Sequence, residues 1–359
     1  MSARRNSSYP CFRDLPQTPA GLRSLGYDYN PTDHRVLPFL EPRHLRAVWT
    51  DFSRNSLAKL ADLAENPRLA PLVHSLHIER AEDKPLGEGF AWPRDKWGQL
   101  VQPQAVTNQL TSVIQGFSNC SSFKVSRTPG IVFSEASQDF PTPGEAVSLF
   151  NTILAATGHC VQEEYEIDFK SSEFIPYNGE NPADKVSFDV TILDHPAFRF
   201  TWSNLQSLTL KFPIQSDNTI DFAVSLIKSS LNLRKLAIDF DDGDGAAELL
   251  TRVLAAKPTF QLEGLTLTNG TLVGQGLFRF LRTHDSNLKT LRLDSIHLTK
   301  DGSWVPIMAV LRREFPCLVE AYLVDVSDGS STTGAFTVDM SRKSLSGKTL
   351  PQGITWNLS

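Results

Sequence analysis

The sequence predicts an α/β solenoid in which short parallel strands line one face and helices cover the other. Two observations support this prediction: a six-residue aliphatic template recurs five times, and segments with helical periodicity separate its copies. The template carries an aliphatic residue at its first, fourth and sixth places, although Ala321 replaces the larger residue in the last copy. Successive copies begin 28, 29, 26 and 30 residues apart, at Leu205, Leu233, Leu262, Leu288 and Leu318.

The unit is therefore expected to be a strand, a turn and a helix. Its length lies at the long end of the roughly 20–29 residues that are typical of leucine-rich repeats. One strand and one helix bury too little surface to fold alone, whereas stacked units form a continuous core. We therefore predict a leucine-rich-repeat-like (ribonuclease-inhibitor-like) solenoid, with parallel strands on the concave face and helices on the convex face. Gly274 and Gly302 precede helical segments, and we expect them in tight turns that reverse the chain.

The first half of the chain carries the same strand pattern less regularly. It is visible as Val73-x-x-Leu76-x-Ile78, Cys120-x-x-Phe123-x-Val125 and Tyr165-x-Ile167-x-Phe169, more than forty residues apart. We interpret these as units with loop insertions, notably around 92–97 and 171–184. Helices are expected at about 56–64, 103–116 and 144–156.

Three regions follow from these patterns. Residues 1–42 are rich in proline and are expected to be irregular. Residues 43–326 are expected to form the solenoid, with loop insertions in its first half. Residues 327–359 are expected to be a C-terminal tail or cap.

Composition and charge restrict the class of function. The chain is 40% hydrophobic and 21% charged, which supports a buried core, and its net charge of −5 with no basic patch argues against nucleic acid as a partner. The four cysteines are scattered, which favours a reducing compartment. The sequence shows neither a secretory leader nor about 20 successive apolar residues, so we expect a cytoplasmic or nuclear protein that does not bind membranes.

No motif for catalysis, metal or cofactor binding stands out, so we expect a protein that is not an enzyme and that needs no cofactor. The acidic run from Asp239 lacks the EF-hand ligands, since Gly243 and Leu250 occupy the fifth and twelfth places. His74 and His77 point to opposite faces of a strand and cannot share a metal. An enzyme alternative would need a pocket within the insertions between residues 80 and 200.

The strand geometry instead nominates contact residues for another protein. Side chains that alternate with the buried aliphatics face outward along each strand, so they form a shared surface of mixed charge. The candidate partner-binding residues are His77, Glu79, Lys124, Glu166, Asp168, Lys211, Lys235, Asp239, Arg292, Asp294, Glu320 and Tyr322.

Residues 35–78 also carry a family resemblance. The features are Leu45-Arg46-Ala47-Val48-Trp49, a helix around Ser56-Leu57-x-x-Leu60, then Asn66-Pro67-x-Leu69-Ala70 and the strand Val73–Ile78. This order resembles the stretch that follows the F-box in filamentous-fungal F-box proteins with leucine-rich repeats. Together with the later repeats, the resemblance covers about residues 35–326.

The resemblance implies a substrate receptor of a cullin-type ubiquitin ligase, in which the box grips a Skp-type adaptor and the repeats hold a substrate. The box itself is not found, because Leu15-Pro16 leads into Gln17-Thr18-Pro19 without leucine-rich helices. The box is therefore expected to be lost or encoded upstream of Met1, which leaves adaptor binding in doubt. The alternative is a repeat-type scaffold or GTPase regulator without ubiquitin chemistry.

Overall fold

A computed structural model shows an α/β protein built on one eleven-stranded sheet whose strand order follows the chain. The first nine strands are all parallel, and the last two are antiparallel. The prediction of an α/β fold with parallel strands is confirmed. The structure describes residues 45–79, 88–91, 96, 104–126, 163–168, 193–194, 196–212, 214–241, 244–299, 302–328, 334–339 and 344–346.

The last three parallel strands are longer than the first six. Most span four or five residues, but the seventh and eighth span nine. The strands are β1 (Ala47–Thr50), β2 (Ser75–Glu79), β3 (Ser122–Ser126), β4 (Glu164–Asp168), β5 (Ser207–Lys211), β6 (Lys235–Asp239), β7 (Gly264–Leu272), β8 (Thr290–Leu298), β9 (Glu320–Val326), β10 (Gly334–Asp339) and β11 (Ser344–Ser346).

Seven α-helices connect the parallel strands within the described residues, and none of them is long and apolar enough to cross a bilayer. A short 3-10 turn also precedes β2, at Ala70–Leu72. The helices are α1 (Arg54–Ala64), α2 (Gln104–Gly116), α3 (Pro196–Trp202), α4 (Asp217–Ser229), α5 (Ala246–Ala255), α6 (Gly274–Arg282) and α7 (Trp304–Glu314).

Serine caps fix where three of these helices begin. Ser53 Oγ accepts a hydrogen bond from Ser56 N at 3.1 Å, and Ser216 Oγ accepts one from Thr219 N at 3.3 Å. Ser303 Oγ accepts from Val305 N at 3.3 Å. Each bond satisfies a backbone donor that the first helical turn leaves without a partner, so the sequence itself sets the strand-to-helix boundary.

The register of the sheet aligns the repeated template. Leu208, Leu236, Leu265, Leu291 and Ala321 are successive partners across β5 to β9. The prediction that the template copies stack as adjacent parallel strands is therefore confirmed.

Alternation along the strands places a single core on one face of the sheet. In β5, Leu208 and Leu210 are fully buried, whereas Thr209 and Lys211 are half-buried. The helices turn their apolar residues, such as Leu226 of α4, into the same core. The opposite face of the sheet carries the side chains that this core does not take up.

A backbone kink allows β7 and β8 to continue beyond the template. Asn269, Ser295 and Asp325 have positive φ angles of 55°, 53° and 48° and occupy the sixth place of β7, β8 and β9. This extra residue shifts the alternation, so that the seventh place, Gly270 in β7 and Ile296 in β8, faces the core again.

Gly270 is required by packing rather than by its φ angle. A Cβ at this position would lie 2.6 Å from Phe240 Cδ2 and 3.2 Å from Ala246 Cβ, and both neighbours are buried. We expect Gly270→Ala to lower the free energy of unfolding by about 1–3 kcal/mol, because the core must shift to accept the methyl group. Urea denaturation measures this change.

The matched control is Gly276→Ala. There the new Cβ would find only Val273 Cβ, at 3.9 Å, and alanine favours the helix by up to about 1 kcal/mol over glycine. Equal destabilisation by the two substitutions would contradict the packing argument.

The turn expected at Gly302 is present, since Gly302 N donates to the Thr299 carbonyl oxygen at 2.7 Å. Neither Gly274 nor Gly302 has a positive φ angle, and the two glycines allow close approach, since a Cβ on Gly274 would lie 2.9 Å from Gly302 Cα. Strand β1 and helix α3 were not anticipated. Helices α1 and α2 begin at Arg54 and Gln104, close to their expected starts.

Other expectations lie outside the described residues, wholly or in part. These include the helix at 144–156, the insertion at 171–184 and the irregular segment 1–42. Within 327–359, the two antiparallel strands β10 and β11 follow β9.

Candidate functional site

We define the open face as the surface of β1 to β9 opposite the core. It consists of three rows, formed by the first, third and fifth places of the strands. Row one is Ala47, Ser75, Ser122, Glu164, Ser207, Lys235, Gly264, Thr290 and Glu320; row two is Trp49, His77, Lys124, Glu166, Thr209, Ala237, Thr266, Arg292 and Tyr322; row three is Glu79, Ser126, Asp168, Lys211, Asp239, Thr268, Asp294 and Val324.

All twelve sequence-nominated residues belong to these rows. Their strands therefore bring them to one surface, as the template implies. The side chain of Glu79 lies outside the described residues. Asp239 is only 6% exposed. The expectation that the Asp239 side chain is exposed is wrong.

An ionic cluster occupies the centre of the first half of the open face. Lys211 Nζ lies 2.6 Å from Glu166 Oε1 and 3.2 Å from Asp168 Oδ2, and Lys124 Nζ lies 3.3 Å from the same Glu166 oxygen. Two cations and two anions thus satisfy one another across β3, β4 and β5. These four side chains are roughly a quarter to a third exposed, so solvent screens them only in part.

The cluster stabilises the charged forms of its members. Burial alone would raise the pKa of Glu166, but hydrogen bonds and charge from Lys211 and Lys124 outweigh it and lower this pKa overall. Burial would likewise lower the pKa of Lys211, but Glu166 and Asp168 raise it. Both groups therefore stay ionised near neutral pH, as a fixed charge pattern.

An aromatic pair lies beside this cluster, on β1 and β2. The Trp49 and His77 rings meet edge to face with centroids 5.0 Å apart. Burial, and then the charge of Lys124, lower the pKa of His77, and Glu166 opposes them. The imidazole is therefore mainly neutral at pH 7 and offers an apolar surface together with Trp49.

Asp239 anchors the kink of β7 instead of facing a partner. Its Oδ1 accepts hydrogen bonds from Asn269 Nδ2 at 2.9 Å and from Asp241 N at 3.1 Å. These bonds hold two residues with positive φ angles, Asn269 and Asp241. The carboxylate therefore has a structural role in this part of the sheet.

The second half of the open face is more accessible. Arg292 is 54% exposed at its side chain and pairs with Asp294 at 2.8 Å, while Tyr322 on the next strand is 37% exposed. Between these residues and the ionic cluster, row two carries only short side chains: Thr209, Ala237 and Thr266.

Sequence reasoning missed part of this surface. Trp49 was not nominated, because β1 is a four-residue strand without the full template. The alternation of Ala47, Val48, Trp49 and Thr50 was the available signal, since Val48 and Thr50 are buried and Trp49 is not.

No group of three or more His, Cys, Asp or Glu side chains in the described part of the chain is placed to hold a metal ion. Comparison with known families gives no matching family model, and no curated protein matches the sequence significantly.

Proposed function

We propose that this chain is a protein-binding module, a leucine-rich-repeat-like solenoid that holds a partner on its open face. The observation that carries the proposal is the register, which aligns nine strands and makes three continuous rows of side chains. With strands about 4.8 Å apart, the rows extend about 38 Å, and five residues span about 17 Å. The resulting area of about 650 Å² approaches the roughly 800 Å² that each partner contributes to a standard interface.

The composition of the open face supports the same proposal. Trp49, Arg292 and Tyr322 belong to the residue types that most often dominate binding energy. They lie in row two, along the middle of the face. Asp294 and Glu320 flank Arg292 and Tyr322 on β8 and β9. Such a mixture of aromatic anchors and fixed charges suits a specific protein partner.

We extend this proposal to the substrate-receptor part of an F-box-type ubiquitin ligase. The support is the resemblance of residues 35–78, and the described residues 45–78 do form a strand, a helix, a 3-10 turn and a second strand in that order. In this proposal the open face holds the substrate. Adaptor contact would require a box that this sequence does not display.

The test compares two double variants in cells. Arg292→Glu with Tyr322→Ala alters the open face. Arg279→Glu with Phe200→Ala makes an equivalent charge reversal and removes an aromatic ring at exposed positions on helices α6 and α3. We expect the open-face variant to bind its specific partners about 30-fold less tightly or weaker still. This is the effect of removing a hot spot of about 2 kcal/mol. Quantitative affinity purification measures the loss of affinity. The helix variant should retain the same partners.

Equal retention of partners by both double variants would contradict the open-face proposal. Recovery of a Skp-type adaptor and a cullin would support the ligase part. Their absence would remove that part and leave the binding module. Recovery of a small GTPase instead would favour the regulator alternative.

A further inference from the structure

Two charged side chains on the open face differ from all the others. Lys235 and Glu320 are exposed and make neither an ion pair nor a hydrogen bond within the described part of the chain. The remaining described charges of the face are engaged: Lys124, Glu166, Asp168 and Lys211 in the ionic cluster, Glu164 with Ser122, Asp239 with Asn269, and Arg292 with Asp294.

Glu263, the acid whose pKa the charge of Lys235 affects, already pairs with other cations. Glu263 pairs with Lys289 at 2.7 Å and with Arg234 at 3.4 Å. The pKa of Glu263 is lowered first by the hydrogen bond from Lys289, and the charge of Lys235 adds only a minor contribution. Within the part of the chain that the structure describes, Lys235 therefore has no acidic partner.

Lys235 and Glu320 lie in the same row. The register runs from Lys235 through Gly264 and Thr290 to Glu320, so three strand spacings separate the two charges. At about 4.8 Å per spacing, the separation is about 14 Å. The positions between them are Gly264, which has no side chain, and Thr290, which has a short one, so no long side chain separates the two charges.

We propose that row one, from β6 to β9, binds an extended peptide segment of the protein partner that carries an acidic and a basic residue about four positions apart. The acidic residue faces Lys235 and the basic residue faces Glu320. An extended chain advances about 3.3 Å per residue, so four residues cover the separation. This inference rests on the proposed function and specifies the chemistry of its partner.

The cost of desolvation supports charge matching. A charge that a partner covers without offering an opposite charge loses its hydration without compensation, and a like charge adds repulsion. A partner that covers row one must therefore supply both signs in the order and spacing of Lys235 and Glu320. Two successive places on one face of a strand lie about 6.7 Å apart, which fits one extended chain, whereas a helix of about 10 Å would overlap row two, where Arg292 and Tyr322 project.

The probe is an immobilised peptide library on a Ser/Thr/Gly background. Each peptide carries two charged residues, of like or opposite sign. Across the library, the spacing between the two residues varies from adjacent to about six apart. We expect the full-length protein to favour one Glu and one Lys about four apart by about tenfold over like-charge pairs at the same spacing. Lys235→Glu should shift this preference to two Lys residues, and Glu320→Lys should shift it to two Glu residues.

A change of preference cannot arise from misfolding, which would only abolish binding. Arg279→Glu on α6 is the control for added negative charge and should leave the ranking of peptides unchanged. The inference is overturned if no peptide binds, or if Lys235→Glu and Glu320→Lys rank the peptides as the unmodified protein does. If partners still depend on Arg292 and Tyr322 in that case, the proposed function survives; if they do not, both fail.

Discussion

Trp202→Ala is expected to lower the free energy of unfolding by about 3–5 kcal/mol, the usual cost of removing a large buried aromatic side chain. Trp202 is fully buried, and its ring packs against Tyr165 and Phe198 with centroids 5.0 Å and 4.9 Å away. Its indole Nε1 also donates a hydrogen bond to the Leu226 carbonyl oxygen at 2.9 Å. One side chain thus joins β4, α3 and α4, and its loss leaves a cavity among all three.

Urea denaturation followed by circular dichroism measures the effect, and the same helix provides the control. Phe200 is 73% exposed, so Phe200→Ala should change the stability little. Trp202→Phe should cost less than Trp202→Ala, since the ring remains and Ser230 Oγ still donates to the Leu226 oxygen at 2.8 Å. Similar losses for Phe200→Ala and Trp202→Ala would contradict this account of the core.

Acidification from pH 7 to pH 4 is expected to lower the free energy of unfolding by about 3 kcal/mol through His284 alone. This side chain is 1% exposed and lies against the rings of Phe260 and Phe280. Its buried Nε2 has no hydrogen-bond partner among the residues that the structure describes. Burial lowers the pKa of His284 from 6.5 to about 4, and the charge of Asp285 opposes the shift only weakly.

The direction of the pH effect follows from this lowered pKa. Below pH 6.5 the unfolded chain takes up a proton at His284, while the folded protein keeps the imidazole neutral until the pH nears 4. Acid therefore favours the unfolded state across this interval, and one pKa unit corresponds to about 1.4 kcal/mol.

His284→Asn removes this titration. The asparagine Oδ1 can take the place of the imidazole Nδ1, which accepts from Leu262 N at 3.4 Å. Urea denaturation at several pH values should show a flatter profile for His284→Asn than for the unmodified protein. The idea fails if His284→Asn keeps the steep profile of the unmodified protein.

The sheet was predictable from sequence because the aliphatic residues of its strands are the buried ones. The same template place recurs at nearly even spacing, at Leu208, Leu236, Leu265 and Leu291. Each of these leucines pairs with the leucine at the same place in the next strand. The same alternation predicted which residues lie on the open face. Which face of the sheet a side chain occupies depends only on its position along the strand, so it can be predicted without knowledge of tertiary contacts.

What could not be predicted depends on contacts between units. The burial of Asp239 results from Asn269 on the neighbouring strand, and nothing in the run that follows Asp239 reveals it. The extension of β7 requires the positive φ angle of Asn269, after which the alternation changes phase and a period-two search ends too early. The ion pairs of Glu166 likewise come from β3 and β5.

The kinks of β7, β8 and β9 also limit which additional units this part of the sheet can accept. Asn269, Ser295 and Asp325 stand side by side, so a unit inserted among them must bring a residue of the same backbone conformation at the same place. Otherwise the pairing beyond the kink, as between Leu272 and Leu298, is lost. Within their described residues, the five-residue strands from β2 to β6 pair along their whole length without such a kink, so this condition falls on the second half of the parallel sheet.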